Sequence, residues 1–148
     1  MISSIIAIAE RAGEKILAIY HQDFSVEIKS DQSPLTLADK EANAIIVEAL
    51  QKLDNSIPII SEENKLTDYE TRQAWTKCWI VDPLDGTKEF IKKNGEFTVN
   101  IALVENGIPV LGVVHVPAQN VTYYAEKNKG SFKKENTTIQ PLHIRPLA

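Results

Sequence analysis

The stretch Trp79 to Phe90 leaves the chain least freedom. Trp79, Ile80 and Val81 form an apolar run of the kind that fills a buried strand, and Pro83 biases Asp82 toward extended backbone, so a strand is expected to end at Asp82. Asp85 follows after a tight bend, Gly86 lets backbone approach a ligand closely, and Thr87 is placed to cap a short helix through Lys88 to Lys92. Two carboxylates and a helix N-terminus therefore meet at one strand end. The grouping suits a hard cation on the aspartates with a phosphate on the helix N–H groups. Asp-Pro and Asp-Gly are also ordinary turn formers, and these six residues alone leave both uses open.

The surroundings supply a scaffold. Ile5, Ile6, Ala9, Ala12, Gly13, Ile16, Leu17 and Tyr20 recur at three and four residues, which predicts a helix from about Ser4 to His21 capped by Ser3 or Ser4. Val26 to Lys29 alternates as a strand, and Ser30 to Pro34 reads as an exposed loop. A second helix is expected from Thr36 to about Leu53. Its start, Thr36-Leu37-Ala38-Asp39, fits a capping box in which Asp39 reaches back to the cap. Ile57 to Ser61 is a short buried strand that delivers Glu62-Glu63 to its far end, a pair that would ordinarily be solvated. Asn64 to Lys77 holds a loop and a short helix. Thr98–Val104, Ile108–Val116 and Val121–Ala125 read as an antiparallel meander with a hairpin at Asn106-Gly107, and one more strand and a tail follow Gly130. His115 is expected to be a satisfied strand residue and Cys78 a core residue.

At 148 residues with 43% hydrophobic content, the chain buries one ordinary core, so residues 1–148 are expected to form a single domain. A formal charge of −4 argues against a surface for duplex nucleic acid. One cysteine excludes an internal disulfide and points to a reducing compartment. The first residues lack the basic region and cleavage site of a secretory signal, and no apolar run has membrane-spanning length, so a soluble cytoplasmic protein is expected.

The string Trp79-Ile80-Val81-Asp82-Pro83-Leu84-Asp85-Gly86-Thr87 resembles the signature of the metal-dependent, lithium-sensitive phosphatases related to inositol monophosphatase. Lys88-Glu89-Phe90-Ile91 and the run from Asn94 to Leu103 are more specific, and are similar to the bacterial 3'(2'),5'-bisphosphate nucleotidases, the CysQ-type branch. The resemblance implies an α+β, layered sugar-phosphatase-like fold, with two N-terminal helices on a mostly antiparallel sheet. It further implies a magnesium-dependent phosphatase that removes the 3'-phosphate of adenosine 3',5'-bisphosphate, a by-product of sulfur assimilation. Two or more Mg2+ ions are implied, with Mn2+ able to substitute, held by Glu63, Asp82, Asp85 and the Leu84 carbonyl. Asp39 and Thr87 are implied as the catalytic pair that holds the attacking water. Substrate phosphate is implied to contact Glu63, Leu84, Asp85, Gly86 and Thr87, with Glu62 a partner behind the metal.

The resemblance covers about residues 1 to 145 and then departs from the family, whose chains are longer. The later Trp-Asp and Gly-Gly motifs do not occur, so the sequence matches the N-terminal half and the C-terminal half of the family fold is absent. Inositol- or sugar-phosphate hydrolysis, and a non-catalytic metal-binding or interaction half-domain, are the alternatives. The expected partners are a nucleotide bisphosphate and either a second copy of the chain or the missing half. A peripheral position on the inner face of the inner membrane is a further expectation from the resemblance.

Overall fold

The apolar spacing at the start of the chain produces helix α1, Ile2–Tyr20, with Ile5, Ala9, Ala12, Ile16 and Ile19 on its buried face. Ser3 and Ser4 lie inside this helix, and no side chain caps it. The computed structural model describes residues 1–22 and 33–146. The strand expected at Val26–Lys29 and the loop residues Ser30 to Gln32 lie outside the described residues.

Helix α2, Pro34–Leu53, buries Ala38, Ala42, Ile46 and Leu50 against α1. Small residues at two of these four positions let the helix axes approach. Its start differs from the capping-box expectation. Ser33 is the cap, its Oγ accepting from Thr36 N at 3.1 Å, and Pro34 occupies the first helical position, where a missing N–H costs nothing. Asp39 is thus about one turn inside the helix, and its carboxylate is not engaged with the helix end.

A seven-stranded sheet carries the rest of the chain. Its strands are β1 (Ile59–Ser61), β2 (Lys77–Asp85), β3 (Thr98–Glu105), β4 (Ile108–Val116), β5 (Val121–Glu126), β6 (Gly130–Glu135) and β7 (Thr138–Pro141), in sequential order across the sheet. β1 runs parallel to β2, and every other pairing is antiparallel. Two short helices interrupt the strands, α3 (Tyr69–Gln73) and α4 (Thr87–Lys92). Asn106 and Gly107 adopt φ of 52° and 78°, which is the primed hairpin turn expected between β3 and β4. Two strands, not one, follow Gly130.

Alternation along the strands decides which face is covered. Trp79 and Val81, then Val99, Ile101 and Leu103, then Leu111 and Val113, are buried under the helices. α1 lies across β3, β4 and β5, and α2 lies against β2. Where α1 crosses β4 the His115 ring meets the helix backbone so closely that a Cβ on Gly13 would lie 2.7 Å from it. His115 is buried and its Nδ1 pairs with Thr122 Oγ1 at 2.8 Å, the satisfied strand histidine anticipated.

The opposite sheet face is open. Ile80, Val114 and Tyr123 are 45%, 39% and 38% exposed there, and Cys78 is only half-buried. Among the described residues the outer strands of the sheet are β1 and β7; Val99 to Val116 belongs to β3 and β4, which are paired on both sides. Among the described residues, no helix is long and apolar enough to cross a membrane.

Candidate active site

β2 does not stop at Asp82 as Pro83 suggested. It continues to Asp85, and its pairing with β3 shifts register between Asp82↔Asn100 and Asp85↔Thr98. The bulge accommodates Pro83, which cannot donate to the ladder, and turns Asp82 and Asp85 into separate positions at the strand end. Asp85 is exposed; Asn100 Nδ2 donates to its Oδ2 at 3.4 Å, and Thr98 Oγ1 donates to Asn100 Oδ1 at 3.1 Å.

Gly86, and not Thr87, caps α4. It sits at φ 91°, ψ 52°, a left-handed conformation that costs an L side chain about 1–2 kcal/mol. Space is a second restriction, because a Cβ there would lie 3.1 Å from Glu96 O and 3.2 Å from Phe97 Cα. Thr87 is the first helical residue, and no side chain caps the helix. The turn rests on packed rings: Phe90 and Phe97 are fully buried, with centroids 5.4 Å apart and 5.5 and 4.9 Å from Tyr20. Lys93 Nζ ties the end of α4 to Gln22 O at 3.1 Å.

Glu62 and Glu63 leave the end of β1 on an exposed turn. Glu62 N donates to Val81 O at 3.3 Å, which extends the parallel pairing and keeps the turn beside Asp82. On the other side, Asn43 of α2 accepts from Ser61 Oγ and donates to Asn64 Oδ1.

Asp39 and Asp82 feel these neighbours. Burial, followed by the charges of Glu63, Asp82 and Glu62, pushes the Asp39 carboxyl up to about 7. Burial, followed by the charge of Glu62, its shared hydrogen bond and the charge of Asp85, pushes Asp82 up to about 6. Asp82 Oδ1 is also buried without a hydrogen-bond partner. A carboxylate oxygen kept from water and set among like charges is suited to a cation. Among the described residues, no three acidic, imidazole or thiol side chains stand close enough to enclose an ion as they are. Asp39 and Asp82 are fixed by helix and strand, whereas Glu62, Glu63 and Asp85 are exposed, so their rotamers can turn inward without disturbing the core. The residues thus fit a divalent cation through the fixed Asp82 and the adjustable Glu63 and Asp85, with Asp39 and Glu62 beside them.

The inositol monophosphatase family matches residues 1–146. The chain belongs to that family. It is 46% identical over 147 residues to the 3'(2'),5'-bisphosphate nucleotidase CysQ of Salmonella typhimurium strain LT2 and 44% identical to that of Escherichia coli strain K12, covering 98% of this chain in each case. The chain spans 59% of the length of these curated relatives. In structure it matches CysQ from Bacteroides thetaiotaomicron, described as a bacterial member of the inositol monophosphatase family. The TM-score is 0.81 at 46% identity, over 96% of this chain and 52% of the other. The α+β architecture with helices preceding a mixed sheet is that of this family.

Each motif that carried the resemblance contributes to one end of the sheet: Asp39 from α2, Glu62 and Glu63 from the β1 turn, Asp82, Leu84 and Asp85 from β2, and Gly86 and Thr87 from the head of α4. α2 also touches α4. Sequence reading missed Asn43, Asn64 and Asn100, whose amides hold the acidic segments in place. Asn43 lies four residues after Asp39 and so on the same helix face, a spacing that could have drawn attention to it.

Proposed function

We propose that this chain carries the cation- and phosphate-holding part of a magnesium-dependent phosphatase that removes the 3'-phosphate of adenosine 3',5'-bisphosphate. The observation that carries the reading is the buried, unpartnered Asp82 Oδ1 set among the carboxylates of Asp39, Glu62 and Asp85 beside the Gly86–Thr87 turn, with Glu63 next to Asp39. Family membership and the name of the CysQ relatives support the reaction class and the nucleotide substrate.

Glu63, Asp82, Asp85 and the Leu84 carbonyl are the cation ligands in this reading, with Glu62 steadying Asp82 from behind. Magnesium, when bound, supplies charge neutralisation, water activation and stabilisation of the leaving oxygen. The chain's own groups do the rest. The N–H groups of Gly86 and Thr87 hold phosphate oxygens, and the Thr87 hydroxyl orients the attacking water. Asp39 accepts a proton from that water as its oxygen bonds to phosphorus and the bond to the ribose 3'-oxygen breaks, the released 3'-oxygen taking a proton from solvent to leave as the hydroxyl. Residues 1–148 act as one folding unit, with the rest of the substrate pocket completed by a second copy or a further segment.

A second reading, an inositol- or sugar-phosphate phosphatase, is favoured by the family description itself. Phosphate release from adenosine 3',5'-bisphosphate, inositol 1-phosphate and fructose 1,6-bisphosphate, each with and without Mg2+, separates the two. The nucleotide is expected to be hydrolysed at least tenfold faster than either sugar phosphate, and the reverse order would sink the nucleotide assignment. Mg2+ binding without turnover of any substrate would leave the third possibility, a non-catalytic cation-binding half.

A further inference from the structure

The geometry points to Asn43 as a positioning residue for Glu63, holding the Glu62–Glu63 turn in register with Asp39; the inference rests on the proposed cation-binding reading of the cleft. Asn43 uses both ends of one amide. Its Oδ1 accepts from Ser61 Oγ at 2.5 Å, and its Nδ2 donates to Asn64 Oδ1 at 2.9 Å. Ser61 and Asn64 are the residues that bracket Glu62-Glu63, and Asn64 N closes the turn on Ser61 O at 3.1 Å. Ser61 Oγ also accepts from Glu63 N at 3.4 Å.

Two features make this more than a tie between helix and sheet. First, Asn43 lies one helical turn beyond Asp39, so the amide and the carboxylate are carried by one rigid segment. Second, the amide grips the turn on both sides, at Ser61 before the two glutamates and at Asn64 after them, while Glu62 and Glu63 are themselves exposed. The amide fixes the turn from the α2 side, while Glu62 N holds it to β2 through Val81 O. With the amide removed, Glu63 is free to swing away from Asp39 while the sheet remains paired.

The test uses Asn43→Ala and Ser61→Ala, each removing one side of the contact, together with the double variant. In the metal-free chain, amide hydrogen exchange of Glu63 and Asn64 is expected to quicken about tenfold while β3 and β4 are unchanged. Mn2+ affinity, read by electron paramagnetic resonance, is expected to weaken about tenfold in each single variant, the scale of residues that orient metal ligands. The double variant is expected to fall short of the sum of the two single effects, because both changes remove the shared Asn43–Ser61 bond. Exchange that is unchanged at Glu63 and Asn64, or that rises equally throughout β3 and β4, overturns the inference, as does faster exchange with unaltered Mn2+ affinity. Should the wild-type chain bind no Mn2+, the cation reading falls, and the exchange at Glu63 and Asn64 alone decides whether Asn43 is the clamp.

Discussion

Replacing Asp82 by Asn should make the metal-free protein more stable at pH 8 while removing its capacity to bind cations. Asp82 titrates at about 6 in the fold against an ordinary 3.8. Between those two values the folded chain retains a proton that the unfolded chain has released, so stability falls as pH rises through that window and stays low above it. The difference between the two values corresponds to about 3 kcal/mol before solvent screening. Asp82 is only partly buried, which reduces the figure to about 1–2 kcal/mol. An amide in its place is nearly isosteric, carries no charge and donates to Glu62. For a chain of this length the gain corresponds to a rise of about 5 °C in Tm at pH 8. The assay is thermal unfolding in EDTA at pH 5 and pH 8, followed by circular dichroism. Wild type should melt lower at pH 8 than at pH 5, and Asp82→Asn should lose much of that difference, the remainder combining Asp39, which titrates at about 7, with the opposite contribution of His115, whose burial holds its imidazole below the ordinary value. An Asn variant no more stable than wild type at pH 8, or one with an undiminished pH difference, would refute the electrostatic account of the cleft.

Asp39→Asn should lower phosphate release at least hundredfold with Mg2+ binding largely retained, as a general-base loss does; an equal fall in cation affinity would assign Asp39 to the ligands instead. Gly86→Ala should cost about 1–2 kcal/mol in urea unfolding, because the left-handed backbone and the nearby Glu96 carbonyl both resist a Cβ, and unchanged stability would mean that the turn relaxes. The open sheet face carrying Ile80, Val114 and Tyr123 should drive self-association at tens of micromolar, measured by sedimentation and reduced by Ile80→Lys. A monodisperse wild-type monomer that binds no apolar dye would contradict this.

Much of the fold was legible because its signals are local. The apolar spacing of α1 and α2 and the alternation in β3 to β5 follow from which side chains must leave water, and Asn106-Gly107 permits little besides its hairpin. Errors arose where two local rules compete. Pro83 was expected to end a strand, but a register shift let the strand run on through it. Thr36 and Ser33 are both good caps, and Pro34 at the first helical position decided for Ser33. The site's acidic members were legible as motifs, and their raised carboxyls depend on tertiary proximity. Asn43 and Asn64 stayed hidden because a lone amide has no pattern; only the packing of α2 beside β1 brings residues 43 and 61 together.

Titration calorimetry of Mg2+ into the wild-type chain and into Asp82→Asn, with both folds verified by circular dichroism, tests the cation site most directly. Saturable Mg2+ binding to wild type, with proton release that grows as pH falls from 8 toward 6 and binding lost in the variant, is the result this account predicts. Equal binding by both proteins, or no binding by a folded wild-type chain at millimolar Mg2+, would contradict it.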